Sequence, residues 1–236
     1  MVARLDLDIS SRFFRKGHNT VLLIALTLYL FVLAPILHGF PALYTLLRLG
    51  FTLVLFSACY AIALDRRLFR AAVLLAVLVA ALSWAGDLVA QPFLLRIANL
   101  LGVAFLFLVA VLLLRTVLGD TPVTLDKLFG AIAIYLLLGL AWAGIFEFIH
   151  RIAPGSFALN NALQAEFDRG LARESSLYIY YSFVTLTTTG YGDMSPVSPI
   201  ARSMAALEAI VGPLYLAVLI ARLVSLMTLG NAPRES

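Results

Sequence analysis

Six mostly apolar runs, near 20–37, 43–64, 68–89, 97–118, 125–149 and 199–229, dominate the chain. A helix needs about 20 such residues to cross the hydrocarbon core of a bilayer. No water reaches a backbone there, so each crossing segment must satisfy its own peptide groups, which a helix does. The rest of the composition agrees: 62% of the 236 residues are hydrophobic and 13% charged, with a mean hydropathy of +1.00. That usage excludes an ordinary soluble domain and predicts an all-α integral membrane protein. The first run is not followed by a small-residue cleavage site and passes through Pro35 and His38 into further apolar sequence, so it reads as a retained helix and not a signal peptide.

Basic residues orient the spans. Arg4, Arg12, Arg15 and Lys16 precede the first, Arg66, Arg67 and Arg70 follow the second, Arg115 and Lys127 bracket the fourth connection, and Arg222 and Arg234 lie near the end. They outnumber Arg48, Arg96, Arg151, Arg169, Arg173 and Arg202 on the opposite side. The bias predicts a multi-pass protein of the cell membrane with both termini cytoplasmic. The net charge of +4 fits basic ends on anionic lipid and calls for no nucleic acid. Residues 1–19 read as a short amphipathic segment on the cytoplasmic surface, 20–120 as a four-helix transmembrane bundle, and 121–236 as a second domain.

Cys59 is the single cysteine, and His18, His38 and His150 fall near different helix ends, so neither residue type suggests a metal cluster or a catalytic dyad. With no histidine partnership and no carboxylate pair inside the spans, a membrane enzyme is not expected. A Gly-Asp-Thr-Pro turn at 119–122, followed by Asp126, predicts the start of the fifth helix. Residues 150–175, with Pro154, Gly155 and paired asparagines, read as an extracellular turret. The run SLYIYYSFVTLTT that follows is about half a membrane thick, the length of a re-entrant helix.

That run leads into TLTTTGYGD, Thr185 to Asp193, a polar, glycine-punctuated stretch between apolar helices. Aiming consecutive carbonyls at one axis requires alternate residues in left-handed backbone angles, which glycine adopts without a Cβ clash. Gly190 and Gly192 sit at alternate positions. The stretch resembles the selectivity filter of tetrameric potassium channels. Thr187, Thr188, Gly190, Tyr191, Gly192 and Asp193 match the family's T-T-V-G-Y-G-D, and Thr189 stands where valine is usual.

The resemblance implies that Thr188, Thr189, Gly190 and Tyr191 are the ligands of a permeant potassium ion, Thr188 through both hydroxyl and carbonyl. It implies support from Thr187, Gly192 and Asp193, and from Tyr180 and Tyr181 as a bracing aromatic pair, Tyr181 beside Tyr191 and Tyr180 beside Asp193. One such segment per chain cannot surround an axis, so the expected architecture is a homotetramer with six transmembrane helices, a re-entrant pore helix and a filter in each subunit. Gly212, 19 residues after Asp193, takes the place of the family's inner-helix hinge glycine, and Pro213 removes a backbone donor beside it. Helical spacing then puts Leu216, Ile220 and Val224 on one face, the expected pore lining.

The fourth span carries one basic residue, Arg115, between Ile97 and Leu118. A charge crossing the field contributes about 2.3 kcal/mol per 100 mV, so steep voltage gating needs several. The expected function is a potassium-selective channel without strong voltage gating; a non-selective monovalent cation channel is the alternative, and a non-conducting membrane scaffold a remote one. The sequence shows no soluble ligand-binding module after the last helix, and membrane lipids are its other expected partner. Glu208, one turn before Gly212, is a carboxyl at membrane depth, where such groups need a partner or water.

Overall fold

The computed structural model describes residues 18–37, 44–62, 66–89, 91–119, 123–168 and 174–230. The amphipathic segment expected before the first span, and the side chain of Asp87, lie outside the described residues. The first apolar run is α1 (His18–Leu28), a π-helical turn (Tyr29–Leu33) and α2 (Ala34–Leu37) in sequence. Then come α3 (Tyr44–Ala61), α4 (Arg66–Leu88), α5 (Pro92–Leu118) and α6 (Leu125–Ile152). Beyond these lie β1 (Phe157–Leu159), α7 (Asn161–Asp168), α8 (Glu174–Leu186), β2 (Met194–Pro196) and α9 (Pro199–Gly230).

Among the described residues, five helical segments are long and apolar enough to cross a membrane, beginning at His18, Arg67, Pro92, Leu125 and Pro199. The second run forms a shorter helix: α3 has 18 residues, a rise of about 27 Å against a core of about 30 Å. The fourth starts five residues earlier than the apolar run suggests, because Pro92 occupies the first turn, where its missing N–H costs nothing.

At the centre stands α6. Ala131, Ala133, Ile134, Leu137, Ala141 and Phe146 are buried against α1, α5, α8 and α9. Small residues on α6 set how closely its neighbours approach, the usual source of helix association where lipid is as apolar as leucine. A Cβ on Gly144 would meet Val103 of α5 at 2.5 Å, and one on Gly139 would meet the Phe183 ring of α8 at 2.6 Å. A cavity of about 420 Å³ lies between the bundle and the start of α8, lined among others by Phe51, Trp84, Asn99 and Glu147.

Polar contacts tie the opposite end of α6 to three other elements. Thr124 caps the helix by accepting from the Lys127 N–H at 3.2 Å, and the Lys127 ammonium donates to the Gly119 carbonyl at 2.7 Å. The cap is thus Thr124; residues 120–122 of the expected turn lie outside the described residues. Arg222 of α9 donates to the Leu118 carbonyl at 2.9 Å, so two cations meet the carbonyl end of α5, the favourable pole of its dipole. From α1, Asn19 donates to the Asp126 carbonyl at 3.0 Å and Thr20 to its carboxylate at 3.3 Å.

The connection expected to be an open turret has structure of its own. β1 pairs antiparallel with β2 in the register Phe157 with Pro196 and Leu159 with Met194. Asn160 then caps α7, accepting from the Leu163 N–H at 2.8 Å, while its own N–H donates to the Asp193 carbonyl at 2.8 Å. The strand pair ties the chain that follows Asp193 to the chain that follows α6.

Gly144→Ala forces the β-branched Val103 to shift and is expected to destabilise the protein by about 1–3 kcal/mol. Gly102→Ala, whose Cβ would find Val79 at an ordinary 3.6 Å, is expected to be near neutral. Thermal unfolding in detergent compares the two.

Candidate functional site

The α8 helix is 13 residues long, about 20 Å, too short to cross a membrane. Its last four carbonyls lack partners within the helix and need them from elsewhere. The Phe183 carbonyl accepts from the Thr187 N–H at 3.1 Å and the Thr187 hydroxyl at 2.6 Å. The Val184 carbonyl accepts from the N–H groups of Thr189 at 2.9 Å and Gly190 at 3.3 Å, and the Thr185 carbonyl from Thr188 at 2.9 Å. The Leu186 carbonyl accepts from the Tyr135 hydroxyl of α6 at 3.2 Å. Sequence reasoning missed Tyr135; its signal was a phenol in an otherwise apolar stretch of a buried helix.

These bonds turn the N–H groups of residues 188–190 back into α8. The carbonyls of Thr188, Thr189, Gly190 and Tyr191 accept no hydrogen bond among the described residues. The backbone alternates as well: φ is +57° at Thr188, +60° at Gly190 and +76° at Gly192. The glycines are where left-handed angles were expected. Thr188 was not expected to share them, and a β-branched residue there stores strain of about 1–3 kcal/mol. Nothing lies within 4 Å of a Cβ built on Gly190 or Gly192, so both are needed for backbone angle and not for room. Residues 187–192 are exposed, Tyr191 at 70%.

The hydroxyls pack differently from the carbonyls. Thr187 uses its single proton on the Phe183 carbonyl, so at 2.8 Å from the Thr189 hydroxyl it is the acceptor and Thr189 the donor. Thr189 therefore has a partner beside α8. The Thr188 hydroxyl donates to the Thr187 carbonyl at 2.7 Å, which leaves its oxygen lone pairs available.

Tyr180 donates to Asp193 at 2.5 Å, and its ring stacks on Tyr191 with centroids 6.4 Å apart and planes 9° from parallel. Burial first, then the Asp193 carboxylate, raises the Tyr180 pKa, so the phenol stays a proton donor. Asp193 also accepts from the Met194 N–H at 2.9 Å, which joins the 187–193 segment to β2. Within the chain the Tyr181 ring meets Phe146 and Phe157 edge to face, at centroid distances of 4.9 and 5.4 Å, and it is Tyr180 that lies against Tyr191. Adjacent residues on a helix point about 100° apart, so one tyrosine reaches the segment and the other the α6 core.

Gly212 and Pro213, the expected hinge, lie within α9, which runs continuously from Pro199 to Gly230. A Cβ on Gly212 would collide with the Leu186 carbonyl oxygen, so this glycine also permits the closest contact between α9 and the end of α8. Leu216, Ile220 and Val224 are exposed, as are Ile210, Leu214 and Val218, so exposure does not single out one face. Glu208 is wholly buried against α8, with Ser182 at 2.5 Å, and so does not touch an open water-filled space in this chain.

Residues 172–229, covering α8, the 187–193 segment and most of α9, match the family model described as an ion channel. No curated protein and no solved structure matched the chain. Residues 172–229 are therefore similar to an ion-channel domain, and they follow a scaffold of long apolar helices.

Tyr135→Phe leaves the Leu186 carbonyl without its donor and is expected to cost about 1–3 kcal/mol. Denaturant unfolding of the purified protein in detergent measures it against the wild type.

Proposed function

We propose that this chain is one subunit of a tetrameric, potassium-selective channel of the cell membrane, with both termini cytoplasmic and no strong voltage gating. The observation that carries the reading is the asymmetry of residues 188–191: the N–H groups of 188–190 turned into α8, the carbonyls of 188–191 without partners among the described residues, and left-handed angles at every second residue from Thr188. Four copies about an axis would stack those carbonyls into rings that replace a cation's hydration shell. The exposure of the same residues in a single chain supports an axis completed by other copies. In this reading Thr188, Thr189, Gly190 and Tyr191 coordinate the ion, and Thr187, Gly192, Asp193 and Tyr180 hold the cage in shape.

Transport, not catalysis, is the chemistry such a cage performs. Potassium and sodium differ in size and hydration energy, so preference depends on the number and field strength of the carbonyls and on how firmly they are held. The Thr189 hydroxyl bears on the second condition. Its bond to Thr187, itself bonded to α8, anchors the cage with a hydrogen bond where a valine would use packing. Of the six expected spans, α3 would cross with the least margin, and Pro213 would leave the Ala209 carbonyl of α9 free of its usual partner.

Bi-ionic reversal potentials in planar bilayers test the reading. Potassium preference over sodium is expected in the wild type, and preserved in Thr189→Val, since Thr187 keeps its bond to Phe183. Equal permeability in the wild type would leave a non-selective cation channel. Loss of preference in Thr189→Val would make the Thr187–Thr189 bond essential.

A further inference from the structure

Glu208 has no exposed surface, and its one hydrogen-bonding partner among the described residues is the hydroxyl of Ser182, at 2.5 Å. Ser182 is equally buried and stands 2.7 Å from the Gly139 carbonyl. A hydroxyl has one proton to donate, and here two oxygens lie within reach of it. If Ser182 gave its proton to Glu208, the Gly139 carbonyl would face the serine oxygen lone pairs at hydrogen-bond distance. If Ser182 donates to Gly139, Glu208 must supply the second proton. An isolated carboxylate at this depth would be the costlier species, so the count and the setting agree.

The place of this contact gives it consequence. Ser182 and Leu186 are one turn apart on α8, as Glu208 and Gly212 are on α9. The two helices therefore meet twice in register, by a hydrogen bond at one level and by bare backbone approach at the next. Gly139 completes the junction from α6, with the Phe183 ring filling the space its side chain would take. The next residue along α8, Phe183, presents the carbonyl that holds Thr187 and through it Thr189.

We propose that Glu208 is a positioning residue: as an un-ionised acid it donates to Ser182 while Ser182 donates to Gly139, and this three-helix relay fixes α8, and with it residues 187–193, against α9 and α6. The role rests on the reading of 188–191 as the ion path. Glu208 touches no ion; it acts through Ser182. A glutamine supplies the same neutral donor and acceptor, whereas a leucine supplies neither and orphans Ser182.

Glu208→Gln, Glu208→Leu, Ser182→Ala and the double variant Glu208→Leu/Ser182→Ala, each reconstituted in bilayers, test the role by single-channel recording. Conducting occupancy is expected within about twofold of wild type for Gln and reduced about tenfold or more for Leu and for Ala, with the double variant no worse than either single one. Leu conducting like the wild type, or Gln failing like Leu, would overturn the inference. Infrared difference spectra of wild type against Glu208→Gln give a second readout that does not depend on conduction. A protonated-carboxyl band present in the wild type and absent from the variant is expected, and a carboxylate band in its place would overturn the inference. Absence of current in the wild type beside the expected infrared band would reject the channel reading and leave the relay standing.

Discussion

The end of a helix leaves four carbonyls in need of partners, and the rest of this structure depends on how α8 meets that demand. Three of its last carbonyls are satisfied by the chain that immediately follows, through the N–H groups of residues 187–190. The fourth, on Leu186, is satisfied by Tyr135 from α6. Because those N–H groups turn inward, the carbonyls of the same residues are left facing the other way. The free acceptors at 188–191 thus follow from how the end of α8 is capped, and the proposed ion path is the outer side of that cap.

Everything around α8 serves to hold this arrangement still. α6 supplies Tyr135 and the bare surface at Gly139, α9 supplies Glu208 and the bare surface at Gly212, and the β1–β2 pair fixes the far end through Asp193 and Met194. Strain at Thr188 is affordable only where such contacts over-determine the backbone. The knot at the other end of α6 joins α1, α5 and α9 through Asn19, Lys127 and Arg222. The C-terminal half of α9 therefore has a direct contact with the bundle through the Leu118 carbonyl.

The long apolar helices were legible in the sequence because burial in lipid is written in composition. The short α8 was legible from its length, and the glycine positions from the angles they alone adopt cheaply. What the sequence hid was tertiary in origin. Three-residue strands are too short to show an alternating pattern, so the β1–β2 pairing at 157–159 and 194–196 was invisible. Gly212 looked like a point of flexibility, but its lack of a side chain equally serves close packing, and a single sequence cannot tell the two apart. Tyr180 and Tyr181 stood together as a pair; only their rotation about α8 decides which one reaches Tyr191. The left-handed angle at Thr188 is imposed by the bonds from residues 188–190 into α8, and no propensity would have assigned it.

The central claim is that ions pass along the carbonyls of residues 188–191. Potassium flux from liposomes loaded with the purified protein tests it most directly when wild type is compared with Gly190→Ala. That substitution meets no atom within 4 Å but opposes a φ of +60°. The account predicts flux in the wild type and its loss in Gly190→Ala, with the variant still folded and helical. Flux that is absent from the wild type, or unchanged in the variant, would contradict it.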